Sequence, residues 1–322
     1  MEHLDTLLDA VNYFSDKRRA HDFIVNLRWP DGVVCPHCSD LDVTFMEARL
    51  LWQCKAKECR RQFSVKIGTV FTESPIGLDK WLPCLWLICN AKYGISSYEV
   101  GRALGVTQKS AWFMLHRVRL AMQTESFGKF GGEVEADETF IGGRARFMHK
   151  DKKNRVLKTH GHRGKVAVMG LLERNSTRGR SRVKVQMIDD TKRQTVQDVV
   201  RANVKAGATL YPDELKSYDT LDAALGGEFQ REFVNHAERY VDGQIHTNGM
   251  ENFWCLLKRA IKGTYVAVEP FRLFRYLDEQ AFRFNNRKWN DAQRFIEAAK
   301  SIVGKRLTFR SLTGADLEET YA

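Results

Sequence analysis

Four cysteines, Cys35, Cys38, Cys54 and Cys59, have the type and spacing for one definite chemistry. They form the pairs Cys35-Pro-His-Cys38 and Cys54-Lys-Ala-Lys-Glu-Cys59, with 15 residues between the pairs. Two close pairs at that separation place four thiolates at the corners of a tetrahedron, which is the coordination of structural Zn2+. A second set offers oxygen donors. Asp137 falls in a strand-like run that begins at Glu133, and Asp213 closes the strand-like Leu210-Tyr-Pro-Asp. Carboxylates at adjacent strand ends bind hard cations such as Mg2+. Two such ions about 4 Å apart activate a hydroxyl and stabilise a leaving oxygen in phosphoryl transfer. Each aspartate alone also suits a plainer role, a turn residue at 213 and a strand-end solvent contact at 137.

A third set lies in His246-Thr-Asn-Gly-Met-Glu-Asn-Phe-Trp-Cys-Leu-Leu-Lys-Arg. At helical spacing, Met250, Phe253, Trp254, Leu257 and Ile261 gather on one face and read as core. Asn248, Glu251, Cys255 and Lys258 fall on another. That polar stripe suits a metal–phosphate site, with Lys258 two turns beyond Glu251 to hold a phosphate. Asn248 followed three residues later by Glu251 also has the form of a helix capping box, and both readings stand.

The elements that would position these groups follow from pattern. Residues 1–32 read as a helical lead-in and 33–72 as a zinc ribbon. Its strands would be Val43-Thr-Phe, Leu50-Leu-Trp-Gln and the run from Gln62. Residues 73–126 contain two helices broken at Gly105-Val106, with Ser96 or Ser97 and Thr107 as N-caps, in the manner of a helix-turn-helix. Gln108, Lys109, Arg117 and Arg119 are its candidate DNA contacts; an ordinary helical hairpin is the alternative. Phe127-Gly-Lys-Phe-Gly-Gly is a linker. Residues 132–300 then give three consecutive strands, a helix from Thr191 to about Lys205, a strand at Ala208–Asp213, a further strand at Glu232-Phe-Val-Asn-His, and helices from Asn248. That order suits an α/β fold, a mixed sheet of the ribonuclease-H type with flanking helices. Residues 301–322 form a tail, and Arg144 to Gly164 reads as a basic loop.

Composition narrows the function classes. The 322 residues are 43% hydrophobic, enough for a real core and against wholesale disorder. A net charge of +11 favours a polyanion partner. Seven cysteines, an odd number, with Cys84, Cys89 and Cys255 in apolar helical contexts, argue against a disulfide framework and for a reducing compartment. The longest apolar run, Trp81 to Cys89, is too short to span a membrane, and the start lacks the regions of a signal peptide. The expected location is cytoplasmic, at a bacterial nucleoid.

These segments together resemble the DDE-type transposases of insertion sequences, in the group with an N-terminal zinc ribbon and an Asp-Asp-Asn/Glu-Lys catalytic set. The resemblance is carried by Cys35-Pro-His-Cys38, by Phe63-Ser-Val-Lys-Ile-Gly-Thr-Val-Phe71 and by Gly105 to Arg117. It continues in Asp137-Glu-Thr-Phe-Ile-Gly-Gly143, in His246 to Arg259 and in Phe282-Arg-Phe-Asn-Asn-Arg287. It implies a ribonuclease-H-like enzyme that cuts element ends and joins the freed 3′-hydroxyl to target DNA. Asp137 and Asp213 would bind two Mg2+ ions, with Mn2+ a possible substitute. Asn248 would be the third member with Glu251 its rival, and Lys258 the trailing base. Asn248 follows Asp213 by 35 residues and Glu251 by 38, so spacing does not choose between them. The implied partners are the terminal inverted repeats and target DNA, bound by a homodimer or higher assembly. The rival readings are a non-enzymatic zinc-ribbon regulator, a domesticated transposase that only binds DNA, and a nuclease that cuts without joining.

Overall fold

The computed structural model describes residues 4–123, 128–142, 165–174, 180–212, 230–231, 247–266 and 268–313. The chain divides into two compact units, Met1–Gln123 with Asn286–Ala322, and Thr124–Asn285.

The first unit begins with α1 (Leu7–Ser15) and α2 (Lys17–Arg28). Thr6 and Asp9 form a reciprocal capping box on α1, and the Asp16 side chain accepts from the N–H groups of Arg18 and Arg19 on α2. A three-stranded antiparallel sheet follows, β1 (Val43–Met46), β2 (Leu51–Cys54) and β3 (Gln62–Ser64), in the expected places. A sheet this small cannot bury enough apolar surface alone. It borrows from the lead-in: His21 of α2 stacks on Trp52 at 4.9 Å, and Trp52 also packs on Phe45 and Phe63.

Helices α3 (Leu78–Asn90), α4 (Ser97–Leu104) and α5 (Gln108–Ala121) come next. Ser96 and Glu99 cap α4 reciprocally, and Thr107 accepts from the Ser110 N–H at the start of α5. Between them Gly105 adopts φ +61°, the left-handed conformation that ends a helix. Cys84 and Cys89 are buried in α3, and burial pushes the Cys84 thiol up to about 12, so it stays protonated and inert.

The C-terminal helices complete this unit. On α9 (Asp291–Lys300), Phe295 is fully buried among Phe14, Phe23 and Trp86. Beyond it, the Val70 N–H donates to the Ile302 carbonyl at 3.0 Å, and Lys305 Nζ donates to the carbonyls of Leu120 and Gln123. The unit ends in the short α10 (Phe309–Thr313). A boundary at residue 300 therefore gives way to one at 285. The sequence pattern assigns α9 to the catalytic region, but its apolar face is the complement of α3.

The second unit is a five-stranded mixed sheet in the order β6-β5-β4-β7-β8. Its strands are β4 (Glu133–Ile141), β5 (Val166–Glu173), β6 (Arg182–Ile188), β7 (Thr209–Pro212) and β8 (Gln230–Arg231). The first three run antiparallel; β7 is parallel to β4 and β8 to β7. The central β4 is buried on both faces, as a covered strand must be. One face carries Val134, Ala136, Met169 and Leu171 against Val196 and Val200 of α6 (Arg193–Asn203). The other carries Val168, Leu172 and Val183 against α7 (Asn248–Arg259) and α8 (Leu273–Asn285). The Asn285 side chain pairs with both backbone polar groups of Val183, tying the end of α8 to edge strand β6. Among the described residues no helix is long and apolar enough to cross a membrane.

Candidate active site and zinc centre

Strand alternation decides which side chains of β4 meet α7. Val134 and Ala136 enter the core on the α6 side, so Glu135 and Asp137 point to the α7 side. Both carboxylates grip that helix. Glu135 Oε2 accepts the Met250 N–H at 2.8 Å, and Asp137 Oδ2 accepts the Trp254 indole N–H at 2.8 Å. The two acids lie about 6.7 Å apart along the strand, and residues 250 and 254 lie about 6 Å apart along the helix. The spacings match, so α7 runs along β4 in the same direction with its start held beside Glu135.

Two glycines permit this approach. A Cβ on Gly170, opposite Asp137 on β5, would lie 2.1 Å from Met250 Cε and 2.7 Å from the Trp254 ring. A Cβ on Gly249 would lie 2.9 Å from Glu135 Oε2.

The core stripe of α7 is as expected: Met250, Phe253, Trp254 and Leu257 are buried. The capping box is not. Thr247, not Asn248, is the N-cap residue, and it makes no side-chain cap bond. The first helical bond runs from the Glu251 N–H to the Thr247 carbonyl, and Glu135 takes the next role from a distant strand. Asn248 and Glu251 are both exposed, and Glu251 Oε1 accepts the Thr247 hydroxyl at 3.5 Å. Lys258 is half-buried, and Cys255 is exposed rather than sheltered.

Asp213 lies outside the described residues, as do the basic loop 144–163 and the expected strand at 232–236. The residue before it is described: Pro212 ends β7 and pairs with Ala136, the neighbour of Asp137.

The four cysteines converge in the first unit. All four sulfurs lie within 4.8 Å of one another, with Cys35–Cys59 at 3.8 Å and Cys38–Cys54 at 3.6 Å. Zinc–thiolate bonds of about 2.3 Å give a tetrahedron with edges of about 3.8 Å, so the donor set fits Zn2+ in both chemistry and size. The open groove beside it is lined by His37, Asp40, Lys57 and Arg61.

The four DNA contacts expected on the helical pair divide. Gln108 and Lys109 are exposed at the start of α5. Arg117 and Arg119 are buried, at 5% and 1% exposure. Arg117 donates to the carbonyls of Thr72 and Leu307, and its guanidinium lies over Phe113. Arg117 is an interior strut, because the C-terminal segment returns to cover it, and Arg119 is buried in the same helix.

Comparison with known proteins gives two family matches. Residues 129–285 match the model of the ISXO2-like transposase domain, and residues 15–62 match the transposase zinc-ribbon domain. Both matched models describe parts of transposases, the zinc ribbon ahead of the larger domain. A curated relative, an uncharacterized protein in transposable element ISH50 of Halobacterium salinarum, is 26% identical over 301 residues, covering 91% of this chain and 98% of that protein. A chain of the simian T-cell lymphotropic virus intasome structure, solved with the PP2A regulatory subunit B56 gamma, is 10% identical. It aligns over 56% of this chain and 63% of its own length with a TM-score of 0.29, too slight a likeness to bear on the fold. The longer match ends at residue 285, where the second compact unit also ends. The zinc-ribbon match takes in α2 as well as the cysteines, in keeping with the His21–Trp52 stack.

Three groups of the second unit are not singled out by sequence pattern: Glu135, Arg174 and the indole donor of Trp254. Only Glu135 left a signal. A second acid two residues before Asp137, alternating with Val134 and Ala136, marks a polar row on one face of an otherwise apolar strand.

Proposed function

We propose that the protein is an insertion-sequence transposase that nicks the element's ends and joins the freed 3′-hydroxyl to target DNA. The observation that carries this reading is the seating of α7 on β4, which brings the exposed Asn248–Glu251 turn to the strand that holds Asp137. The strand order, three antiparallel strands followed by two parallel ones on the far edge, supports a ribonuclease-H-like fold. In the chain Asp213 follows Pro212, the last residue of β7, which pairs with Ala136 of β4.

In this reading Asp137, Asp213 and Asn248 or Glu251 hold Mg2+, with Mn2+ as a substitute. Asp137 and Glu251 offer the hard oxygens such an ion takes, and Asn248 a carbonyl oxygen. When bound, the ions supply Lewis-acid activation of the attacking oxygen and charge neutralisation at the phosphate. The residues themselves do the positioning. Trp254 fixes one carboxylate oxygen of Asp137, so the acid presents a single orientation. Lys258, two turns along α7 from Glu251, holds a DNA phosphate. Gln108, Lys109 and the zinc ribbon grip the terminal repeats, and two ends handled together call for at least a dimer, working at the nucleoid.

The test is a gel that separates nicked from joined products, with Mg2+ and end duplexes taken from the DNA flanking the coding sequence. Wild type should nick and join. Asp137→Asn and Asp213→Asn should bind the duplex and do neither. Asn248→Ala and Glu251→Ala, run side by side, identify the third member by the larger loss. Joining by Asp137→Asn would refute the assignment; nicks without joining would make the protein a nuclease.

A further inference from the structure

Asp137 lies on β4, Asp213 follows β7 directly in the chain, and one cluster of side chains touches β4, β7 and the start of α7. At its centre is Arg174, which follows β5 directly. Its Nε donates to Glu135 Oε1 at 2.7 Å, and its Nη1 lies 3.8 Å from Glu133 Oε2. Its guanidinium stacks over the ring of Tyr211, 4.3 Å from the centroid. Tyr211 belongs to β7, two residues before Asp213, and its hydroxyl donates to Glu133 Oε1 at 3.4 Å. Glu135 belongs to β4, two residues before Asp137, and its other oxygen accepts the Met250 N–H of α7. Tyr211 and Glu135 are partners across the β4–β7 pairing.

We infer that Glu135 and Arg174 are positioning residues that set where the Asn248 turn of α7 sits relative to β4, which holds Asp137, and to β7. The inference rests on the active-site reading above. Glu135 is 1% exposed and both its oxygens are engaged, one by an arginine and one by a helix N–H, so the carboxylate cannot rotate. A helix start ordinarily draws an anion to its free N–H groups. Here a protein carboxylate fills that place from the adjacent strand, and Thr247 provides no cap of its own. The attachment is two residues past Asn248, so little of the helix is left to move independently. Arg174 holds Glu135 in turn and, through the Tyr211 ring, ties the same carboxylate to β7. Neither residue reaches the reacting atoms; each acts by fixing another element.

The test uses the full-length, zinc-loaded protein and Tb3+, a hard oxygen-seeking cation whose luminescence a nearby indole sensitises; Trp254 is bonded to Asp137 itself. Wild type should give a saturable signal that Asp137→Asn abolishes. The paired variant Glu135→Met/Arg174→Met replaces a buried ion pair with apolar chains of similar volume, an exchange that generally preserves folding. It should need about 10- to 100-fold more Tb3+ for half-saturation, the usual effect of losing groups that hold ligands in place. Its half-maximal Mg2+ in the nicking assay should rise in parallel, while melting temperature and end-duplex binding stay near wild type. Arg174→Lys keeps the charge but not the planar fork, and should move half-saturation the same way by less. A folded variant of either kind with wild-type half-saturation would overturn the inference while leaving the active site standing. A wild type with no Asp137-dependent Tb3+ signal would overturn both.

Discussion

Replacing Trp254 by Phe isolates the bond that orients Asp137. The indole N–H donates to a carboxylate oxygen at 2.8 Å, with Trp254 4% and Asp137 9% exposed. A hydrogen bond to a charged group at such a site contributes about 1.5–3 kcal/mol. Phe keeps the first ring but loses the volume of the second, whose Cζ2 and Cη2 face Gly170, for about 1 kcal/mol more. The total is about 3 kcal/mol. For a unit the size of Thr124–Asn285 that corresponds to a fall of roughly 6–12 °C in melting temperature. The packing part and the bond part separate in a double-mutant cycle with Asp137→Asn, measured by urea unfolding. In the Asp137→Asn background the indole meets a neutral acceptor, so Trp254→Phe should cost about 1–2 kcal/mol less than in wild type. Equal costs in the two backgrounds, within about 0.5 kcal/mol, would refute the claim that this bond holds a charged Asp137.

Three further outcomes follow from the same geometry. A chelator strong enough to strip Zn2+ should unfold the β1–β3 ribbon, seen as exposure of Trp52 by fluorescence, and weaken end binding; unchanged binding would remove the ribbon from recognition. Gly170→Ala forces a methyl into Met250 and the Trp254 ring, and should destabilise the second unit by about 1–3 kcal/mol in thermal unfolding; an unchanged melting temperature would mean that the contact is not close. Lys109→Ala should weaken duplex binding and lower the slope of log affinity against log salt by about one, whereas Arg117→Ala should lower the melting temperature of the first unit and leave that slope alone. A reversed pattern would return Arg117 to the DNA surface.

Local patterns in the sequence carried much of this architecture. The cysteine spacing predicts the sulfur cluster, and helical periodicity predicts the buried stripe Met250, Phe253, Trp254 and Leu257. Alternation and turn residues locate β4, β5 and β6 within a residue or two. What failed was long-range. Arg117 and Arg119 look like exposed bases on a recognition helix until the carbonyl of Leu307, 190 residues away, is found bonded to Arg117. Helix α9 looks like part of the catalytic unit until Phe295 is found among Phe14, Phe23 and Trp86. The capping box at Asn248 and Glu251 has the right letters, but Glu135 reaches the helix start from another strand and leaves them exposed. In each case a partner remote in sequence decides, and no local window contains it.

The proposed metal site draws on Asp137, Asp213 and the start of α7. Loading the protein with Fe2+ in place of Mg2+ and generating hydroxyl radicals with ascorbate and peroxide cuts the backbone close to the bound ion. Three clusters of cuts are expected, around residues 137, 213 and 248–251, all suppressed by excess Mg2+ and all absent in Asp137→Asn. Cuts at only one of the three, or cuts that persist in Asp137→Asn, would contradict the proposed site.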